Sequence, residues 1–415
     1  VKDTVTRLSY APHLALINRM LAPLREVSSI GGLTALAIGR TACRAEGRAA
    51  PQAEGELAAL FGDDFATAVQ LTTQWPLSAM GQLQWRAVLV TAARMRLQLD
   101  AYVAAGRPLG ELGRPLFIVG LPRTGTTLLQ NLLATSPRRA ALKFWQLLRP
   151  IPRPERRFDR ARRELNGAFA SWLYRFVSPE YPKLHLTTAN TFEECWYLFM
   201  PSYSVLNADF PMPAPDYGDW LLARDMRAAY QRYRQLLEIL QLEVGARALV
   251  LKCPDHLWFL DALLDVFPEA DVIWTHRDPA KAVPSYAAQM GLSARQYLGR
   301  AEPELLGARV LLRFRQGIER ASAARLARPA ARVVDVQYAD LAADPVGTVL
   351  AALRSLGHDP DPEHERAMQR FVREPAGARP VHRYRPETYG LTAGDIRTEL
   401  ATYVRDYRIR LEPSA

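Results

Sequence analysis

Lysine is nearly missing from this chain: of 53 basic residues only Lys2, Lys143, Lys183, Lys252 and Lys281 are lysines, and the rest are arginines spread along the whole length. Against 43 acidic residues this leaves a net charge of +10. Such an excess admits a polyanionic partner, but dispersed arginine with no recognition motif argues against nucleic acid. Cysteine is scarce too. Cys43, Cys195 and Cys253 are too few and too scattered for a disulfide framework or a zinc site, which points to a reducing compartment. Apolar stretches such as "IGGLTALAIG" (30–39) fall far short of the roughly 20 residues of a membrane span. The opening "VKDTVTRLSY" lacks the basic-then-apolar order of a secretory signal. A soluble, cytoplasmic protein is expected, with no internal repeat. What is present is ordinary globular material: 49% hydrophobic and 23% charged residues over 415 positions, enough for a large α/β domain with an added layer or for two smaller domains.

Residues 1–112 read as helices with short breaks; "FATAVQLTTQW" (65–75) and "MGQLQWRAVLVTAARMRLQLDAYV" (80–103) carry apolar residues at three- and four-residue steps. The breaker-rich "AAGRPLGELGRP" then reads as a linker into a second unit, 113–415. There the pattern changes to short β-branched runs alternating with helices. The expected strands are "LFIVG" (116–120), "ALVLK" (248–252), "DVIWTH" (271–276) and "RVVDVQY" (332–338). Helices are expected to start at Pro254-Asp255, Asp278-Pro279 and Asp344-Pro345, with Gly357 as a left-handed stop. Continuous apolar strands separated by helices predict a central, mainly parallel sheet covered on both faces, with ligands at the carboxyl ends of the strands. Between 150 and 245 lies a helical, aromatic-rich insertion. Phe192, Trp196, Tyr197, Phe199, Tyr203, Phe210, Tyr217 and Trp220 either wall a pocket for an apolar or ring-bearing substrate or pack a helical layer of their own.

One absence is local. "GLPRTGTT" (120–127) has the G-x-x-x-x-G spacing of a phosphate loop, yet Thr126 stands where a nucleoside-triphosphate loop has lysine. The backbone logic survives, since successive N–H groups running into a helix N-terminus form an anion cradle. The hydroxyls of Thr124, Thr126 and Thr127 can add donors, and Arg123 is the nearest substitute cation. Further along, "VIWTHRDPAKAVPSY" ends a strand with Arg277 and places Ser285 eight residues later on the next helix, so guanidinium and hydroxyl can clasp one phosphate. Pro284 is expected to bend that helix beside Ser285.

These two motifs carry a resemblance. "LPRTGTT" is similar to the 5′-phosphosulfate loop of sulfotransferases that use 3′-phosphoadenosine 5′-phosphosulfate (PAPS), and "RDPAKAVPS" resembles their 3′-phosphate motif. "LKCPDHLWFLDALLDVFPEADVIWTHRDP" looks like the bacterial branch. The resemblance covers about 113–395 and implies a P-loop-like three-layer α/β fold. It further implies that Arg123, Thr124, Gly125, Thr126, Thr127 and the N–H of Leu128 hold the phosphosulfate, Arg277 and Ser285 the 3′-phosphate, and Tyr338 the adenine side. Arg383, in a late segment that closes over the donor, is a further candidate for the 3′-phosphate.

The expected reaction is in-line transfer of a sulfuryl group to a hydroxyl of a small or lipid-like metabolite, without a metal, releasing adenosine 3′,5′-bisphosphate. Charge builds on the leaving phosphate, and Lys252 at the end of "ALVLK" is placed to neutralise it with Arg123 in support. The proton acceptor stays open. His256 lies one turn beyond Lys252; Gln146 in "KFWQLLRP" stands where some relatives carry a carboxylate; Glu194, ahead of Glu193 and His185, is the preferred carboxylate. Two other readings compete: a phosphate-loop kinase using Asp335 for a metal, and a fold relative that only binds or that sulfonates transiently before elimination. Oligomer formation through the amino-terminal helices is possible on this reading.

Overall fold

The computed structural model describes residues 12–21, 33–214, 216–359, 361–374 and 384–413. Arg383 lies outside them. Five strands, β1 (Leu116–Gly120), β2 (Arg139–Ala141), β3 (Ala248–Lys252), β4 (Asp271–His276) and β5 (Arg332–Gln337), form one sheet in the order β2-β3-β1-β4-β5. All four pairings are parallel. The expected mainly parallel α/β sheet is therefore what forms. Four strands start where the apolar runs start; β2, only Arg-Ala-Ala, adds an edge.

Alternation within the strands assigns each residue to one of two cores. Phe117, Val119, Leu249, Leu251, Val272 and Trp274 join the larger core on one face. Leu116, Ile118, Val250 and Ile273 join Leu129, Leu132, Leu353 and Met368 on the other. Both faces being covered, β1 and β4 are buried throughout, which is why their sequences show no polar alternation.

The helices that position the site are α1 (Pro12–Leu21), α2 (Ala79–Ala104), α3 (Thr126–Ala134), α4 (Asp159–Val177), α5 (Arg227–Val244), α6 (Pro279–Leu298) and α7 (Pro303–Leu326). α6 starts as the sequence suggests, with Pro279 at its first position and the Asp278 carboxylate accepting from the Ala280 N–H at 3.0 Å. The amino-terminal helix α2 packs on the aromatic segment Cys195–Ser202, so residues before the sheet and residues of the insertion share the larger core. The insertion is fastened to α7 by charge. Asp209, fully buried, takes Arg313 at 2.8 Å and Arg309 at 3.4 Å and accepts from the Gly218 N–H at 3.0 Å. Among the described residues no helix is long and apolar enough to cross a membrane.

Candidate active site

β1 lies between β3 and β4, and the chain leaves it first toward one side and later crosses to the other. The carboxyl ends diverge there, opening the crevice where parallel sheets bind ligands. The phosphate-like loop starts in it. Gly120 has φ 146°, and a Cβ at that position would collide with Thr275 on β4, so only glycine lets the two strands close up. Gly125, at φ 85°, caps α3 under the ring of Tyr338, leaving 3.0 Å for a Cβ. Between them Arg123 adopts a left-handed φ of 71°, a conformation costing an L-residue about 1 kcal/mol. Its carbonyl is held by Arg277 Nη1 at 3.0 Å, which keeps the turn in place. The first N–H groups of α3, those of Thr126, Thr127 and Leu128, have no partner within the helix and form the cradle.

Arg123, Ser285 and Arg277, 162 positions apart at most, meet at this loop. Arg123 Nε donates to Ser285 Oγ at 3.1 Å, and Arg277 lies over the Tyr338 ring at 3.9 Å. Thr124 behaves otherwise than expected. Its hydroxyl is buried, donates to the Leu121 carbonyl at 2.7 Å and pairs with Thr275 Oγ1 at 2.7 Å. Its one proton goes to the Leu121 carbonyl and its oxygen accepts from Thr275, which ties the loop to β4, so Thr124 faces the cradle only through its backbone.

A carboxylate already occupies the Arg277 fork. Glu412 accepts from Nε at 2.7 Å and from Nη2 at 2.9 Å. Burial alone would lower the guanidinium pKa, but Glu412 and Tyr338 hold it above its ordinary value. The backbone at 412 is pinned as well, its N–H to Asp278 at 2.9 Å and its carbonyl to Arg397 at 3.0 Å. Nothing in the sequence signalled this contact across 135 positions.

Lys252 sits at the end of β3, beside Ile118 of β1, with its side chain 1% exposed. Nζ donates to Glu194 Oε1 at 3.1 Å. Next to it Glu193 is buried and receives His185 Nε2 at 2.8 Å and the Thr187 hydroxyl at 2.9 Å. Burial by itself would push the Glu193 carboxyl up, but His185, Lys252 and Thr187 hold it below the usual carboxylate range. The pairing of His185 with Glu193 was not apparent from the sequence.

His256 does not reach the crevice, contrary to the expectation drawn from its place one turn after Lys252. The chain makes a 3-10 turn, Pro254–Leu257, that drives the imidazole into the core. It is 0% exposed, with Nδ1 on Tyr230 Oη at 2.8 Å and Nε2 on Cys195 Sγ at 3.3 Å. Gln146 is likewise committed, accepting from the Lys143 N–H at 3.0 Å and donating to Glu243 at 3.3 Å. Asp335, the candidate metal ligand of the kinase reading, is taken by His276 at 2.9 Å and Arg325 at 2.7 Å.

Glu193, Glu194 and His185 form the polar end of a cavity of about 170 Å³. Trp196, Tyr197, Tyr203 and Tyr217 supply its aromatic wall, while Phe199 and Phe210 turn into the core, so the insertion serves both purposes foreseen for it. Trp85, Val88, Leu89 and Ala92 of α2 close the far side.

A glycine-capped helix N-terminus at the switch point of a parallel sheet, two arginines and a serine converging on it, and an aromatic cavity alongside are the features of a phosphate-loop-like fold. The chain belongs to the sulfotransferase family, whose model matches residues 115–362. The bacterial resemblance seen in the sequence is thereby borne out. The chain is 27% identical over 258 residues to omega-hydroxy-beta-dihydromenaquinone-9 sulfotransferase Stf3 of Mycobacterium bovis and, with the same figures, of Mycobacterium tuberculosis. That match takes in 59% of this chain, and the chain spans 62% of the length of those curated relatives. Among solved structures it resembles sulfotransferase STF9 of Mycobacterium avium, with a TM-score of 0.77 at 25% identity over 92% of this chain and 98% of that one. It also resembles STF1 of Mycobacterium tuberculosis, with a TM-score of 0.67 at 26% identity over 95% and 100%.

Proposed function

We propose that this enzyme moves a sulfuryl group from PAPS to a hydroxyl of a lipid-like, apolar or ring-bearing acceptor. The observation that carries the reading is the convergence of Arg123, Arg277 and Ser285 on a glycine-capped helix N-terminus beside an aromatic cavity with Lys252 and Glu194 at their junction. The Arg277 fork already accepts a carboxylate in the geometry that suits a phosphate. The acceptor class is supported by the aromatic wall and by the relatives that act on a hydroxylated menaquinone.

On this reading PAPS supplies the activated sulfuryl group. The N–H groups of Thr126, Thr127 and Leu128 with Arg123 orient its 5′ end, and Arg277 and Ser285 hold its 3′-phosphate. Lys252 offers its ammonium to the bridging oxygen, where negative charge grows. In turning to that oxygen Nζ leaves Glu194, whose carboxylate is then free to take the acceptor's hydroxyl proton at the polar end of the cavity. The aromatic wall excludes water from the same space.

Isothermal titration with adenosine 3′,5′-bisphosphate tests the donor assignment. Binding that is lost in Arg277→Ala is expected; no binding, or binding undiminished in that variant, overturns it.

A further inference from the structure

Helix α4 is built inside out. Leu165, Phe169, Trp172, Leu173 and Phe176 fall at successive steps of four, three, one and three, one stripe of a helix, and they face solvent with exposures of 72, 62, 50, 41 and 42%. The face turned to the protein carries Arg163, Gly167, Ser171 and Val177, with Ala170 and Tyr174 packed on the core. Gly167 is pressed against Trp145, where a Cβ would find only 2.6 Å, and Arg163 stacks on that indole while pairing with Glu243. Polar and small residues beside Tyr174 and Val177 therefore anchor the helix, and its broadest apolar stripe is turned outward. The exposed rings are ordered: Phe169 and Trp172 stack at 5.7 Å, Trp172 and Phe176 at 5.5 Å. α1 extends the surface, since His13 bonds the Phe176 carbonyl at 3.0 Å and α1 leaves Leu16 and Met20 exposed beside it.

Charge surrounds this stripe with one sign in excess. Arg156, Arg157, Arg162 and Arg175 are exposed around it. Of the nearby acids, Glu164 is paired with Arg160 and Asp159 accepts from the Arg153 N–H, leaving Glu155 and Glu180. A contiguous apolar patch flanked by arginine and holding tryptophan at its centre has the composition of a helix that lies in a bilayer interface. The same helix borders the cavity: Tyr174 and Ser178 line it from the side opposite the stripe.

We infer that α4, with α1, seats the enzyme on an anionic membrane surface, from which an amphiphilic acceptor passes around the helix into the cavity. The passage of the acceptor rests on the function proposed above; the membrane contact does not.

Co-sedimentation of the full chain with vesicles separates these claims. Binding to vesicles of phosphatidylcholine mixed with phosphatidylglycerol is expected, with little on phosphatidylcholine alone and less as salt is raised. The triple change Phe169→Ser, Trp172→Ser and Phe176→Ser is expected to weaken that binding by about tenfold or more. Because these side chains touch solvent, the variant keeps its fold, checked by circular dichroism. A second variant, Arg156→Gln with Arg157→Gln and Arg162→Gln, is expected to lose the preference for anionic vesicles. Failure of the parent chain to bind vesicles, equal binding by the serine variant, or a dimer that the serine variant dissolves while vesicles stay unbound overturns the inference. Vesicle binding by a chain that does not bind adenosine 3′,5′-bisphosphate supports the membrane contact and removes the proposed function instead.

Discussion

Replacing Glu412 by glutamine removes the charge that competes for Arg277. The native carboxylate makes two charge-assisted bonds, at 2.7 and 2.9 Å, to a guanidinium braced from the other side by Tyr338. Buried bonds of this kind are worth about 1.5–3 kcal/mol each and exposed ion pairs about 0–1 kcal/mol. With side chains 20% and 27% exposed, this pair falls between those limits, at about 1–2 kcal/mol in total. At the proposed donor site a 3′-phosphate would have to displace the carboxylate and forfeit that amount. The backbone of Glu412 stays pinned to Asp278 and Arg397, so only side-chain torsions need to change. Glu412→Gln is therefore expected to bind adenosine 3′,5′-bisphosphate about 5- to 30-fold more tightly, at 1.4 kcal/mol per tenfold. Calorimetric titration measures it, with adenosine 5′-phosphate as the control that lacks the competing group and should be unchanged. Weaker or equal binding of the bisphosphate, or the same gain with the monophosphate, would refute the reasoning.

Lys252→Met keeps the stem and deletes the ammonium; a fall in kcat of about 10²–10³ is expected, with less change in bisphosphate affinity, measured by initial rates with labelled donor and a hydroxyl-bearing acceptor. His256→Phe is expected to lose its bond to Tyr230 and cost about 1–3 kcal/mol in denaturant unfolding while leaving turnover per folded molecule intact; a hundredfold loss of turnover would restore it as the base. Asp255 is buried, and desolvation first, then Glu194, pushes its carboxyl up to about 7, although the Leu206 and Asn207 N–H groups oppose this. With a folded pKa above the unfolded one, the native state binds more protons between about pH 4 and 7, so stability falls as pH rises through that window and is level above it. Asp255→Asn should flatten this slope in thermal unfolding at pH 5 to 8, gaining on the order of 2–4 kcal/mol relative to the parent; parallel curves would sink the assignment.

β1, β3 and β4 were legible because burial on both faces removes polar alternation, and the half-exposed edge strand β5 because of its valine-rich run. β2 did not, being too short to show a period. The loop was legible for a different reason: its spacing is local and its geometry follows from a strand end and a helix N-terminus, whereas Ser285 meets Arg123 rather than Arg277. His256 misled because its distance from Lys252 was read as a turn into the crevice, whereas a 3-10 turn rotates it into an aromatic core. Glu412 and the His185–Glu193 pair depend on how distant or irregular segments fold back, which no local pattern encodes.

The ion cluster at Asp209 sets what can be exchanged when the acceptor is changed. Segment 192–220 carries the cavity's aromatic wall and invites transplantation from a relative. Yet its Asp209 is the carboxylate that Arg309 and Arg313 share in the interior, and a graft without it, leaving Asp219 to Arg313, would cost several kcal/mol. Wall and α7 are thus one cassette: a library of acceptor specificities built on this scaffold has to swap them together.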